Sequence, residues 1–284
     1  MWRRKVWLWG SRTAVAVTAL SCSAATEAQV YEFSTGLFDN PTVIDNAFWP
    51  HPPGTQFIYD GFTVEDGEES EHQIIITITD LTKVIGGVNA VVVYEQDISD
   101  GEVVEAELAF RAQDSDGNVW HLGEYSETYE DGELVGGITW LVGHLDGARA
   151  GVMVQANPQP DTPAYSQGFA PPPINWTDQG RVRSIGGSDE VEHGAFADVV
   201  IIEEFNEEEP GAIQLKSYAR GVGLIRVSWA GDDQQQEELE LVDVVEMTPE
   251  QVAELRAEAL ALETRAYTYG QTPPATQRTG MGGS

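Results

Sequence analysis

The stretch from Trp120 to Tyr129 carries the side chains best suited to chemistry in this chain. It holds an indole, an imidazole, a carboxylate and a phenol, at Trp120, His121, Glu124 and Tyr129. Aromatic rings beside carboxylates and an imidazole can bind sugars, or can supply a general acid and a general base. If the stretch is a β-strand, simple alternation puts Trp120 and Glu124 on one face and His121 on the other.

Further candidates follow this stretch. Trp140 and His144 come after a predicted Asp131-Gly132 hairpin turn and can return close to it. The candidate catalytic residues are Glu124, His121, Tyr129 and Asp146, and the candidate ligand-binding residues are Trp120, Trp140, His144 and Trp176. The purely structural alternative is that Trp120 and Trp140 are core residues and that Glu124 caps a strand end.

Other motifs are incomplete. Ala164–Gly168 is one residue away from the G-x-S-x-G nucleophile elbow, but no strand precedes it and no helix follows it. The loop Asp114–Asn118 lacks the calcium ligands of an EF-hand, because Ala112 and Gly123 stand where two of them are required. The five histidines show no zinc-binding spacing. We therefore predict no cofactor and no metal site, with weak calcium binding by scattered acids such as Glu207–Glu209 left open.

The N-terminal residues predict export. A basic segment, a short apolar segment and small residues before a cleavage point after Ala28 form a secretory signal at residues 1–28. Arg3-Arg4-Lys5 is similar to a twin-arginine signal, and Ala19–Cys22 is similar to an imperfect lipobox. The expected location is extracytoplasmic, either periplasmic or secreted, with a lipid anchor at Cys22 as a variant.

Cysteine content restricts the chemistry of the folded part. Cys22 is the only cysteine of the chain and lies within the predicted signal. The remainder therefore has no disulfide, no thiolate nucleophile and no cysteine metal ligand.

The charge of the chain restricts its partners. There are 15 basic and 47 acidic residues, and removal of residues 1–28 leaves 11 and 46, a formal charge of −35. Nucleic-acid binding depends on Lys and Arg that neutralise phosphates, so nucleic acid is excluded as an expected partner. An anionic membrane surface is disfavoured for the same reason.

Short runs of β-branched and aromatic residues alternate with turn residues along the chain. Such runs occupy 56–62, 73–79, 88–96, 102–112, 118–124, 133–140, 181–185, 196–204, 213–220, 222–229 and 238–245. Asp-Gly pairs between them tolerate the positive φ of a type I′ hairpin turn. We predict a mainly β fold, a curved antiparallel sheet that is half-barrel or barrel-like, with Ile74, Ile76 and Ile78 on one face.

The remaining segments complete the domain organisation. Residues 29–246 are expected to form the antiparallel β domain, interrupted by a Pro-rich excursion at residues 146–176. Thr248, Pro249 and Gln251 form a capping box that starts a helix at residues 249–266, within a C-terminal segment 247–267. Residues 268–284 are rich in Pro, Gly and Thr and are predicted to be a disordered tail.

Five segments resemble a family of uncharacterised secreted bacterial β-proteins, similar in pattern to the half-barrel sheets of lipoprotein carriers. They are Ile44–Pro50, Pro53–Tyr59, Asp116–Glu124, Asp146–Met153 and Gly221–Ile225. The chain departs from the family at Ala47 and Trp49, where members have Tyr or Pro, and at Ala219-Arg220, where members have an aromatic-Pro pair. The resemblance implies a fold and an extracytoplasmic location, and it implies no activity.

Three functional hypotheses follow. The first is a non-enzymatic extracytoplasmic binding or accessory protein that holds an apolar or carbohydrate ligand on the curved sheet. The second is a secreted hydrolase or lyase acting on an extracellular polysaccharide. The third is a surface or assembly protein that docks a partner through helix 249–266.

Overall fold

The computed structural model describes residues 28–65, 67–144, 147–267 and 276–277. Residues 1–27 of the predicted signal, which include the lipobox with Cys22, lie outside the described residues, as do Asp146 and all but two residues of the predicted tail. The strands are β1 (Thr55–Glu65), β2 (Glu68–Ile85), β3 (Val88–Ser99), β4 (Glu102–Gln113), β5 (Val119–Glu130), β6 (Glu133–Leu141), β7 (Arg149–Val154), β8 (Tyr165–Ser166), β9 (Gly168–Phe169), β10 (Gln179–Val191), β11 (Gly194–Phe205), β12 (Ala212–Ala219), β13 (Gly223–Gly231), β14 (Glu238–Glu246) and β15 (Thr276–Gln277). One 3-10 turn, Thr35–Leu37, and one helix, α1 (Pro249–Ala266), complete the described part.

One antiparallel sheet contains all of these strands. Its order is β8-β10-β11-β12-β13-β14-β1-β2-β3-β4-β5-β7-β9, with β6 paired to β5 and β15 paired to β2. The sheet is long, curved and not closed, so the predicted mainly β fold with a C-terminal helix is confirmed. Each of the eleven runs read from the sequence corresponds to one of these strands.

Two Asp-Gly pairs form the predicted turns. Asp100 and Gly101 have φ values of 49° and 83°, and Asp131 and Gly132 have 51° and 76°. Positive φ at both central residues is the signature of a type I′ turn, which joins β3 to β4 and β5 to β6. Asp116-Gly117 differs, because it lies in a longer loop organised by the Asp114 carboxylate.

The sheet has two differently covered faces. Side chains from both halves of the sheet, including Ile74, Ile76 and Ile78, meet in one buried cluster, which we call the interior face. The other face, which we call the outer face, packs residues of β2–β7 against helix α1. The expected shared face of the three isoleucines is confirmed, and they are only 2–7% exposed because other side chains of the interior cover them.

Helix α1 begins as the sequence predicts. The Thr248 hydroxyl accepts from the Gln251 backbone N–H, and the Gln251 side chain accepts from the Thr248 N–H. Leu255, Ala259 and Leu262 are buried against the outer face. Burial of this apolar stripe fixes the helix on the sheet.

Ion pairs also attach the helix to the sheet. Lys83 Nζ lies 2.6 Å from Glu263 Oε1, and both side chains are almost completely buried. Two further pairs are Arg256 with Asp80 at 2.5 Å and Arg265 with Glu127 at 2.7 Å. In the described ranges, helix α1 included, no helix has the length and apolarity needed to cross a membrane.

The Pro-rich excursion contains strands that the sequence did not reveal. Arg149–Val154 forms β7, in which every residue after Arg149 is buried. A strand buried on both faces lacks the alternation by which half-buried strands are recognised. Further along, β8 pairs with β10 and β9 pairs with β7, so the segment Tyr165–Phe169 contacts both ends of the sheet.

Candidate functional site

A bulge in β5 brings two candidate residues to the same face. Arg111 pairs with His121 and Ala109 pairs with Glu124, so β5 has one residue more than β4 in this interval. The extra residue is accommodated at Gly123, where φ is 128°. His121 and Glu124 therefore both point to the interior, and simple alternation, which separated them, was wrong here. Their side chains are fully buried, with Nε2 of His121 at 3.6 Å from Oε2 of Glu124.

Two candidate tryptophans lie against His121. Its ring centroid is 4.8 Å from that of Trp140 and 5.3 Å from that of Trp176. The two indoles are 4.9 Å apart and tilted by 40°. Trp140 comes from β6, and Trp176 comes from the end of the Pro-rich excursion, 36 positions later in the numbering. The fold thus brings together four of the residues singled out from the sequence.

The protonation of His121 follows from its contacts. Nε2 lies 2.9 Å from the Gly123 carbonyl oxygen. Because a carbonyl only accepts, Nε2 carries the hydrogen and donates it. Burial, together with the nearby Arg111 charge, lowers the pKa of His121 well below its usual value. The imidazole is therefore neutral, and its Nδ1 is an acceptor without a hydrogen-bond partner among the described residues.

A row of glutamates crosses the adjacent strands. Glu95 of β3 stands directly opposite Glu107 of β4, and Glu107 is diagonal to Glu124 across β4 and β5, a spacing of about 7–8 Å. Burial, and then the charge of Glu124, raise the pKa of Glu107 well above its usual value. Arg111 supplies the local cation, with Nη2 3.7 Å from Glu95 Oε1.

Polar side chains from the other half of the sheet extend this site. Lys216 Nζ lies 2.5 Å from Glu204 Oε2, and Gln167 Nε2 donates to Glu204 Oε1 at 2.7 Å. Burial and the charge of Glu204 raise the pKa of Asp178 to about 7, with Lys216 opposing and Glu124 adding to the rise.

Several polar atoms of this region have no hydrogen-bond partner within the described residues. They are Nε and Nη1 of Arg111, Nε1 of Trp140, Nδ1 of His121, Oε1 of Glu107 and Oε1 of Gln167. The set includes both donors and acceptors, and each side chain is at most 2% exposed. Leaving a buried polar group unsatisfied costs about 1–3 kcal/mol, so such a concentration marks a functional site more readily than a structural one. We call His121, Glu107, Arg111, Glu124, Trp140 and Trp176 the interior cluster.

The other candidates lie elsewhere. Trp120 is buried on the outer face, where Nε1 donates to Asp114 Oδ2 at 2.7 Å. Tyr129 is half-buried beside the helix and donates to Glu127 Oε2 at 2.6 Å. His144 is exposed, and Asp146 is outside the described residues. These positions stay predictions, and none is in the interior cluster.

No group of three or more His, Cys, Asp or Glu side chains in the described ranges is arranged to hold a metal ion. In the loop that most resembles a calcium site, the Asp114 carboxylate accepts from protein donors instead. These are the backbone N–H groups of Asp116 and Asn118, the Asn118 side-chain amide and the Trp120 indole. That loop is a self-contained turn.

Glu107, Arg111 and Gln167 were missed by sequence reasoning. Glu105, Glu107 and Arg111 alternate with Ala106, Leu108 and Phe110, a pattern that normally places the charged side chains in solvent. Both faces of β4 are covered in this fold, so the charged side chains are buried instead. A strand pattern alone does not distinguish a solvated polar face from a buried polar site.

Comparison with known proteins finds distant structural neighbours. No family model and no curated protein matches the sequence. A protein of Bacteroides fragilis, described as a candidate exported protein with a YmcC-like fold, is 13% identical with a TM-score of 0.41, covering 70% of this chain and 99% of its own. A candidate lipoprotein of Parabacteroides distasonis is 10% identical with a TM-score of 0.36, covering 71% and 100%. Likenesses this distant transfer no residue role, activity or location.

Proposed function

We propose that this chain is an extracytoplasmic binding or accessory protein whose interior cluster takes a carbohydrate ligand. The observation that carries the proposal is the set of buried donors and acceptors beside the Trp140–Trp176 pair that have no hydrogen-bond partner among the described residues. Sugar hydroxyls both donate and accept, so one such ligand can satisfy donors on Arg111 and Trp140 and an acceptor on His121. Indole faces beside polar groups also suit the apolar faces of sugar rings.

A carbohydrate fits the cluster better than an apolar ligand. The interior isoleucines that an acyl chain would contact are already packed against protein side chains. An acyl chain would also leave the donors and acceptors of the cluster unsatisfied, at a cost of about 1–3 kcal/mol each. We therefore favour a sugar over an acyl chain as the ligand of the interior cluster.

Native mass spectrometry of protein purified from its own producer would test the proposal by detecting a retained saccharide. Titration calorimetry with cellotetraose, maltotetraose and tetra-N-acetylchitotetraose would test it on purified protein. Trp140→Phe removes the indole N–H while keeping an aromatic ring, and we expect about tenfold weaker binding from the loss of one buried hydrogen bond. Trp229→Phe, on β13, is the matched control. A retained lipid with no saccharide binding would contradict the proposal.

The second candidate function is a hydrolase or lyase acting on an extracellular polysaccharide. It is favoured by the position of Glu107 diagonal to a second carboxyl, Glu124, because the raised pKa of Glu107 suits a general acid. Glu107→Gln and Glu124→Gln should each abolish turnover on a polysaccharide panel without lowering the thermal midpoint. Glu105→Gln, on the same face of β4, is the control. Turnover that survives in both variants would exclude this pair.

The third hypothesis is assembly with a partner through helix α1. The apolar stripe of the helix already packs on the outer face, so a partner would meet the outward, mostly charged side. Light scattering of the chain with and without residues 247–284 distinguishes this function from ligand binding.

A further inference from the structure

We infer that the segment Tyr165–Trp176, here called the strap, is a movable closure over the interior cluster and supplies two of the side chains around the bound ligand. This inference rests on the proposed function for its purpose, although its geometry stands independently. The strap carries Trp176 onto His121 and Trp140, and Gln167 onto Glu204. While it is in place, Trp176 covers one side of the His121 and Trp140 rings.

The strap is attached to each end of the sheet by very short pairings. Its strand β8 pairs with β10 only at Ser166–Gln179 and Tyr165–Gly180. Its strand β9 pairs with β7 only at Phe169–Arg149 and Gly168–Ala150. By contrast, β2 and β3 are joined along most of their length, although β13 and β14 also share only two residue pairs. Opening the strap therefore breaks few ladder hydrogen bonds and leaves the rest of the sheet paired.

The strap is built to move as a unit. Ala170 and Trp176 exchange two backbone hydrogen bonds, of 2.9 and 3.0 Å, which close the Pro171–Asn175 loop on itself. The backbone of Gly168 packs directly against the two indoles, because an added Cβ would lie 2.7 Å from the Trp140 ring and 2.8 Å from the Trp176 ring. The loop and its tryptophan consequently stay together whether the strap is closed or open.

The first residues of the described chain hold the strap closed. Gln29 N–H donates to the Ala164 carbonyl at 2.6 Å, and Ser166 N–H donates to the Gln29 carbonyl at 2.9 Å. The Tyr31 ring lies edge-on to the Tyr165 ring, with the ring centroids 6.3 Å apart. The Tyr31 hydroxyl accepts a hydrogen bond from the side-chain amide of Gln155. Removal of this segment should raise the rate of opening.

A reversible cross-link tests the inference. Gln167 N–H donates to the Asp178 carbonyl at 2.9 Å, which makes Ser166 and Gln179 a non-hydrogen-bonded antiparallel pair with Cα atoms about 4.5 Å apart. That spacing suits a disulfide, and no other cysteine is present once the predicted signal is removed. Ser166→Cys with Gln179→Cys therefore fixes the β8 end of the strap to β10 when oxidised and releases it when reduced.

The readout is reaction of His121 with diethyl pyrocarbonate, followed by peptide mass spectrometry, with buried His51 as the internal reference for global unfolding. We expect His121 to react at least about tenfold more slowly in the oxidised protein than in the reduced protein, with His51 unchanged. Deletion of residues 29–33 should speed the reaction of His121 alone. Equal rates in the two redox states, or no reaction of His121 in either, would overturn the inference. No sugar is used in this experiment, so its result is independent of saccharide binding. The inference about the strap can be wrong while the protein still binds a saccharide, and it can be right while the protein binds none.

Discussion

Buried polar side chains in this protein divide into two groups. Some are paired, as Lys83 is with Glu263 on the outer face. In the interior cluster, by contrast, polar atoms of His121, Arg111 and Trp140 lack partners within the described residues. The first group stabilises the fold. The second group destabilises it, because buried polar atoms lack hydrogen bonds, and a ligand that supplies those hydrogen bonds offsets this cost.

His72 shows how a buried charge contributes to stability. Its ring nitrogens lie 2.8 Å from Asp97 and 3.1 Å from Glu237. Burial lowers the pKa of His72, but the hydrogen bonds to the two carboxylates outweigh it and raise the pKa to about 10. The folded state therefore binds a proton that the unfolded chain releases above about pH 6.5. The stabilisation is fully present below that pH and is lost as the pH rises through 10.

We accordingly expect His72→Gln to lower the free energy of unfolding by about 1–3 kcal/mol at pH 6 and by progressively less towards pH 10. Urea denaturation at pH 6, 8 and 10 measures the difference. His144→Gln, at an exposed position, is the control and should change little. A deficit that stays constant with pH would show that His72 acts through packing rather than through charge.

At the scale of elements, the irregularities of β5 and the strap are what create the site. The bulge at Gly123 turns Glu124 towards His121. The end-to-end contact of Tyr165–Phe169 then encloses them. Regular strands would have left the two side chains on opposite faces.

Gly123→Ala should disrupt this arrangement. A Cβ there would lie 2.1 Å from the Trp140 carbonyl oxygen, and φ of 128° is unfavourable for a side chain. We expect a loss of about 3 kcal/mol in the free energy of unfolding, measured by urea denaturation. Gly132→Ala has positive φ but open space around the Cβ, and should cost only about 1 kcal/mol. Equal costs would mean that backbone strain, not close packing, requires Gly123.

The helix-to-sheet ion pair gives a second prediction at this scale. Glu263→Gln removes the carboxylate from the buried Lys83 ammonium, and we expect a loss of about 3–5 kcal/mol. Lys83→Met combined with Glu263→Leu removes both charges and should be close to neutral. Thermal and urea denaturation of the single and double variants measure the difference. A double variant as unstable as the single one would show that the pair itself is required.

At the scale of the whole molecule, electrostatic repulsion dominates. Without residues 1–28 the chain has 46 acidic but only 11 basic residues, so most carboxylates cannot find a cationic partner. Exposed pairs such as Arg220 with Asp198 contribute little and weaken with salt. Added salt also screens the repulsion among the excess negative charges. This reduction in repulsion is a larger effect than the weakening of the ion pairs.

We therefore expect the thermal midpoint of the protein to rise by a few degrees between 20 mM and 0.5 M NaCl. Differential scanning calorimetry at constant pH measures this change. KCl should act like NaCl, because screening depends on ionic strength. A midpoint that falls with added salt would show that specific ion pairs outweigh the general repulsion.

Local signals in the amino-acid sequence were enough to predict eleven of the strands, two of the tight turns and the capped helix, because alternation, Asp-Gly pairs and the Thr248–Gln251 capping box act over short distances. The sequence also supplied His121, Glu124, Trp140 and Trp176 as candidates. Only the tertiary structure decided that these four meet, since their meeting depends on one extra residue in β5 and on pairings with a segment far along the chain. The burial of Glu107 and Arg111 also depends on the tertiary structure. A polar strand face is exposed to water or buried according to which other parts of the sheet cover it.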